Sequence, residues 1–226
     1  MVNFSISHEI FKKLPELKIG VVFALGVDQE KLPKDILRKI HKEQARLKKE
    51  LEGYSDYKEF PTVKAWHKAF RRLGINPKKY PPAIENLIRI TAKGIKLSSI
   101  NPIVDIENYI ALKYLVPVGG QDLDKVKGEI VLEVLKTPLP FRALGKEKVK
   151  TINAHIPVYR DAEKILCIGL NSKDCEEAKF TKESKNIVIF VESIGEKTEL
   201  NEILADLAAT LSVSVEGIEK RVYGYF

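Results

Sequence analysis

From about Lys34 to Leu51 the apolar residues Ile36, Ile40, Leu47 and Leu51 keep a helical spacing. Lys39, Lys42, Arg46, Lys48 and Lys49 fill the other faces of this run, and Gly53 ends it, which predicts an amphipathic helix with a basic outer surface. Before it, Leu17, Ile19, Val21, Val22 and Phe23 are β-favouring and Gly20 and Gly26 punctuate them, so residues 2–6 and 17–25 are expected strands around a short helix opened by Ser7. A second long helix is expected after Pro61, with Thr62 as its cap and Val63, Trp66, Phe70 and Leu73 buried, stopping at Gly74. Pro81-Pro82 opens a third through Ile84, Leu87, Ile88 and Thr91, closed at Gly94. Asn101-Pro102 announces a fourth over 103–115, because Asn satisfies free amides at a cap and Pro pre-sets the first turn; Ile106, Tyr109 and Ile110 should face inward.

The second half changes character. Short β-rich runs at 129–135, 155–159, 165–170 and 187–193 are separated by turn-forming stretches, and a helix carrying Leu200, Leu204, Leu207 and Leu211 precedes a last strand near 213–223. Helices first and strands mostly after predict an α+β fold rather than a doubly wound sheet.

At 226 residues and 44% hydrophobic content the chain can supply its own core. The start lacks the pattern of a secretory leader and no apolar run approaches the roughly 20 residues of a membrane span, so a soluble, cytoplasmic protein is expected. Cys167 and Cys175 have no His or Cys beside them to complete a metal site and read as free thiols; no metal or cofactor is expected.

Charge adds more. Of the net +7, residues 1–80 hold 18 Lys/Arg against 10 Asp/Glu, while residues 81–226 hold 20 against 21. A basic segment on a nearly neutral body suits a protein that holds a polyanion while other residues select, and equally suits a solvated lysine-rich surface.

There is no glycine-rich phosphate loop, nucleophile elbow or histidine pair at zinc spacing, and His8, His41, His67 and His155 lie in separate elements. The polar residues Asn101, Asp105 and Asn108 lie at spacings of four and three, along one face of the fourth helix. Beyond it Pro117-Val118-Gly119-Gly120-Gln121-Asp122 leaves through two glycines that allow close approach of a ligand, then presents an amide and a carboxylate. Helix capping and turn chemistry account for the same residues without a ligand.

The run 99–109, Ser-Ile-Asn-Pro-Ile-Val-Asp-Ile-Glu-Asn-Tyr, continuing to Pro117 and to Asp122-Leu123-Asp124-Lys125-Val126, resembles the B3/B4 editing domain of the phenylalanyl-tRNA synthetase beta subunit. With Trp66 through Glu85 it is similar to the stand-alone form of that domain, and the resemblance covers about 62–193. It implies a layered fold with helices packed around a β-sandwich-like core, a B3/B4-like domain over 62–226 and a basic N-terminal part, 1–61, packed on it. It also implies a pocket that receives a wrong amino acid esterified to the end of a tRNA and hydrolyses that ester. Pro117 matches the family's pocket proline, Gly119 stands where the family has histidine, and Glu192 lies near the family's pocket glutamate. Ile168-Gly169-Leu170 partly matches a small-residue run.

The resulting expectation is an aminoacyl-tRNA deacylase acting in trans, and not an aminoacyl-tRNA ligase by itself. Its candidate catalytic residues are Asn101, Asn108, Gln121 and Glu192, and Asp105, Pro117, Gly119, Gly120, Asp122 and Gly169 would line the pocket. Lys39, Lys42, Lys64, Lys68, Arg71 and Arg72 would hold the acceptor end of the tRNA. The alternatives are an RNA-binding module without activity and an amino-acid-binding protein that reuses the pocket.

Overall fold

Every residue from Ile187 to Ser193 is buried, so this strand must be covered on both faces. The computed structural model, which describes residues 2–194 and 200–225, shows what covers it. In chain order the elements are β1 (Phe4–Ile6), α1 (His8–Lys13), β2 (Leu17–Leu25), α2 (Ile36–Leu51), α3 (Pro61–Arg72), α4 (Ala83–Ala92) and α5 (Pro102–Tyr114). There follow β3 (Val118–Asp122), β4 (Ile130–Val134), β5 (Leu139–Arg142), β6 (Val149–Ile152), β7 (Pro157–Arg160) and β8 (Ile165–Ile168). The chain continues with β9 (Lys173–Asp174), β10 (Ile187–Ile194), α6 (Leu200–Leu211) and β11 (Gly217–Gly224).

One antiparallel sheet has the order β11-β2-β10-β3, and a second has the order β1-β4-β7-β8-β9. Because side chains alternate along a strand, Val188, Phe190 and Glu192 share one face of β10 and Ile187, Ile189 and Val191 the other. Phe190 meets Tyr159 of β7 and Phe4 of β1, with ring centroids 4.7 and 5.1 Å apart, so the first face packs on the second sheet. The opposite face packs on helices: a Cβ at Gly20, the partner of Val191, would stand 2.8 Å from Leu204 of α6. The fold is α+β, a sandwich of two sheets with helices along one side.

The strands of residues 1–61 belong to these sheets, since β1 runs parallel to β4 and β2 lies between β11 and β10. The apolar stripe of α2 is buried as its spacing requires, together with Gln44, which donates to Thr91 and to the carbonyl of Ile95. Three sequence expectations need correction, and one element is new. The second long helix starts at Pro61 with Phe60 flanking it, so Thr62 is not its cap. Tyr109 is half-buried, with Lys39 and Lys113 each 5.8 Å from its ring, rather than turned into the core. Residues 118–122 form an edge strand, not a glycine loop, and a hairpin of β5 and β6 that periodicity did not suggest stands as a two-stranded sheet of its own.

Candidate functional site

At the end of β8, Gly169 and Leu170 both have positive φ, 66° and 60°, and the chain turns back sharply there. For glycine this is free; for Leu170 it is a strained conformation that the surroundings must enforce. The turn aims the N–H of Asn171 at Glu192 Oε1, 2.8 Å away, and the Tyr159 hydroxyl donates to the same oxygen over 3.0 Å. Glu192 is wholly buried between the sheets, and its Oε2 has no hydrogen-bond partner among the described residues. Burial pushes its carboxyl up to about 8, against the two hydrogen bonds that favour the charged form, with Asp174 adding to the rise. The carboxyl is therefore mostly protonated near neutral pH, consistent with two donors on one oxygen and none on the other.

The neighbouring edge strand supplies the rest. A Cβ on Gly119 would stand 3.0 Å from Asn171 Oδ1, and one on Gly120 only 2.4 Å from the Val188 carbonyl and 2.8 Å from Glu107 Oε1. These two glycines let the Asn171 amide and the Glu107 carboxyl close on the strand from opposite faces. Glu107, 8% exposed, is held well above the ordinary glutamate range by burial and then by Asp174. Gln121 donates through Nε2 to Asp174 Oδ1 over 3.0 Å, while its own Oε1 is buried without a partner among the described residues. Burial raises Asp174, opposed by its bonds with Cys167 and Gln121. Three raised carboxyls around one edge strand make the interior of this region acidic. Among the described residues no group of three or more His, Cys, Asp or Glu could hold a metal ion.

Asp174 opens this interior to a cavity of about 850 Å³. The cavity lies between the loop after α3, the β5–β6 hairpin and the turn from β8 to β9, and Tyr80, Phe141 and Ile168 give it apolar walls. Its rim holds Lys79, Lys146, Lys148, Lys150 and Lys173, all exposed, and Glu147 as the one carboxylate among them. Lys79 and Lys173 stand 5.1 and 5.4 Å from the Tyr80 ring centre, which draws both to one side of the mouth. The hairpin is fixed to the wall through Leu144 N–H to the Asp174 carbonyl, 2.9 Å, and Glu176 N–H to the Arg142 carbonyl, 2.9 Å.

The residues singled out from sequence divide accordingly. Gln121, Gly119, Gly120, Gly169 and Glu192 come together around Asn171 and Asp174, and the Pro117 carbonyl accepts from the Glu192 N–H over 3.0 Å. Asn101 does not join them through any hydrogen bond. Its Oδ1 accepts from Ile103 N–H as a helix cap and its Nδ2 donates to Gln29, while Asp105 accepts from Ser99 and from Ile100 N–H. Asn108 is half-buried on α5, and Asp122 is used by Ser184 and Asp124 N–H. Of the basic candidates, Lys42, Lys64, Lys68 and Arg71 are exposed, Lys39 pairs with Asp35 and Arg72 with Glu16. The sequence reading missed Glu107, Tyr159, Asn171, Ser172, Asp174 and the hairpin lysines. The signal available for the last was the run 146–150, with lysine at every second position.

The arrangement is a two-sheet core whose buried polar groups adjoin one basic-rimmed cavity, concave and partly apolar as small-ligand sites are. The family described as B3/4 domain matches residues 65–201, and the chain belongs to that family. It is 28% identical over 116 residues to the phenylalanine–tRNA ligase beta subunit of Pectobacterium atrosepticum, a match covering 51% of this chain and 14% of that protein. Among solved structures, an N-terminal fragment of the phenylalanyl-tRNA synthetase beta subunit from Pyrococcus horikoshii aligns over 98% of this chain and 50% of its own, with a TM-score of 0.46 and 13% identity. Among the described residues no helix is long and apolar enough to cross a membrane.

Proposed function

We propose that the protein admits the aminoacylated end of a tRNA to the lysine-rimmed cavity and hydrolyses the ester of a mischarged amino acid, acting in trans. The observation that carries this reading is the polarity of the cavity: five lysines at the mouth and the Asp174 carboxyl in the wall. A tRNA end has the complementary order, with phosphates outermost and the amino acid at the tip. Membership of the B3/4 family and the similarity to a phenylalanine–tRNA ligase beta subunit support a tRNA-related role.

The chemistry is undemanding. An aminoacyl ester is already activated, so holding it beside an ordered water in a pocket that excludes bulk solvent supplies much of what hydrolysis needs, without a covalent nucleophile. Asp174, oriented by Gln121, and Ser172 are polar residues of the cavity wall that such an ester would meet. Glu192 acts one step behind, holding the Asn171 backbone and the Tyr159 hydroxyl in place.

The test is release of amino acid from a panel of correctly and incorrectly charged tRNAs, using the wild type, Asp174→Asn and Glu192→Gln. Selective release by the wild type that Asp174→Asn loses is expected. No release above the spontaneous rate from any member overturns the hydrolytic reading; salt-sensitive tRNA binding that survives would leave a binding module.

A further inference from the structure

We infer that residues 179–184 form a strap, latched by Gln29, that opens as a unit and bares the Glu107 carboxyl and the outer edge of β3. The strap covers the face of β3 turned away from the cavity, and its action does not depend on which ligand the cavity takes.

β3 ends its sheet, so one of its edges has no strand beside it. The chain between β9 and β10 covers that edge. Both ends of the covering segment are held by main-chain bonds: Asp122 N–H donates to the Ala178 carbonyl over 2.9 Å, Leu123 N–H to that of Asn186 over 2.8 Å and Val27 N–H to that of Lys185 over 2.7 Å. Between these anchors the bonds to the rest of the protein change in kind, and among the described residues each is made through a side chain. Gln29 Nε2 donates to the carbonyls of Thr181, Lys182 and Ser184 over 2.8, 3.3 and 3.0 Å. Asn101 donates to the Thr181 carbonyl over 3.4 Å and to Gln29 Oε1, the Ser184 hydroxyl donates to Asp122, and Lys179 pairs with Glu176. One side-chain amide thus gathers three carbonyls of the strap, and its loss frees them together.

What the strap covers is a group without a partner. A Cβ at Gly120 would stand 2.8 Å from Phe180 Cζ and also 2.8 Å from Glu107 Oε1, so the Phe180 ring and the carboxyl meet over the same bare patch of β3. That oxygen is buried and accepts no hydrogen bond among the described residues. Keeping such a group dry is costly, so the water admitted when Phe180 swings away offsets part of the bonds broken at the latch. A segment closed in this way opens locally, well short of global unfolding. Asp122, which takes the Ser184 hydroxyl, follows Gln121, which orients Asp174, so strap and cavity wall hold neighbouring residues of one strand.

The experiment labels the introduced thiol of Glu107→Cys with iodoacetamide under native conditions. Cys167 and Cys175, both buried, report global unfolding in the same molecule. We expect the introduced thiol to react at least about tenfold faster than these two, and Gln29→Ala to speed it about tenfold again while leaving them unchanged, because several hydrogen bonds leave the latch. Phe180→Ala, which removes the cover and spares the latch, should also speed it. An introduced thiol no faster than Cys167 and Cys175 overturns the inference, as does a rate that Gln29→Ala leaves unaltered. If Gln29→Ala does not fold, hydrogen exchange of the unaltered protein decides through the amides of Thr181, Glu183 and Ser184, all bonded within the strap. One shared opening equilibrium, reached before β3 opens, upholds the strap; independent openings, or exchange together with β3, overturn it.

Discussion

Asn171 occupies the space that a side chain at Gly119 would need: its Oδ1 and Cγ lie 3.0 and 3.1 Å from where that Cβ would stand. The same residue donates its N–H to Glu192 and its Nδ2 to the Phe190 carbonyl over 3.3 Å, so the Asn171 side chain is anchored and cannot drift away freely. Gly119 is thus one half of a complementary pair, and Asn171 is the other half.

Gly119→Ala should therefore destabilise the fold by about 1–3 kcal/mol, the usual range for overpacking. Pairing it with Asn171→Ala should recover part of that loss, giving a coupling of about 0.5 kcal/mol or more in a urea-denaturation cycle. Strict additivity would show that the two residues do not compete for one space. Gly120→Ala meets a backbone carbonyl that cannot move without opening the β3–β10 ladder, and should cost more than Gly119→Ala.

Glu192 sets a pH dependence of stability. Its value of about 8 in the fold stands above the ordinary 4.5, so between these limits the folded protein holds a proton that the unfolded chain has released. Stability must then fall as pH rises through that window, and Glu107 and Asp174, shifted the same way, add to the trend. The urea midpoint should be lower at about pH 8.5 than at about pH 6, and Glu192→Gln should lessen the difference. A midpoint that rose with pH would contradict this account of the buried carboxyl.

Asn101→Ala removes a helix cap and a tie to Gln29. The expected cost is about 0.5–2 kcal/mol of stability, with ester hydrolysis per folded molecule unchanged. A large drop in activity at an unchanged melting temperature would return Asn101 to the catalytic machinery.

For RNA, the hairpin and the helices make separable claims. Replacing Lys146, Lys148 and Lys150 by Glu should weaken tRNA binding and flatten the dependence of log affinity on log salt by roughly 2, about 0.7 for each phosphate contact to a single strand. The helical set Lys64, Lys68 and Arg71 lies outside the residues lining the cavity. If those three prove dominant in the same titration, the body of the tRNA lies on the helices and the hairpin serves only the tip.

What the sequence determined by itself was whatever local periodicity and cap chemistry can encode. The basic amphipathic α2, the Asn101-Pro102 start of α5 and the apolar β10 were legible because burial on one helix face, or on both strand faces, imposes a repeat on neighbouring residues. Gln121 and Glu192 were singled out through a motif rather than a period, and the structure brings them close to Asn171 and Asp174. Tertiary structure decided the rest. β3 reads as a loop because Gly119 and Gly120 lack strand propensity, and it is a strand because Asn171 and Glu107 need the room that only glycine leaves. In the sequence Asp174 is one of several acids around Cys175, and its place in the cavity wall depends on β8 turning back at Gly169 and Leu170. Glu107 carried no signal at all, since a glutamate on a helix is ordinarily solvated and only the packing of α5 under an edge strand buries it. A pocket is assembled from residues far apart in the chain, and no local pattern records which of them will share the same few ångströms.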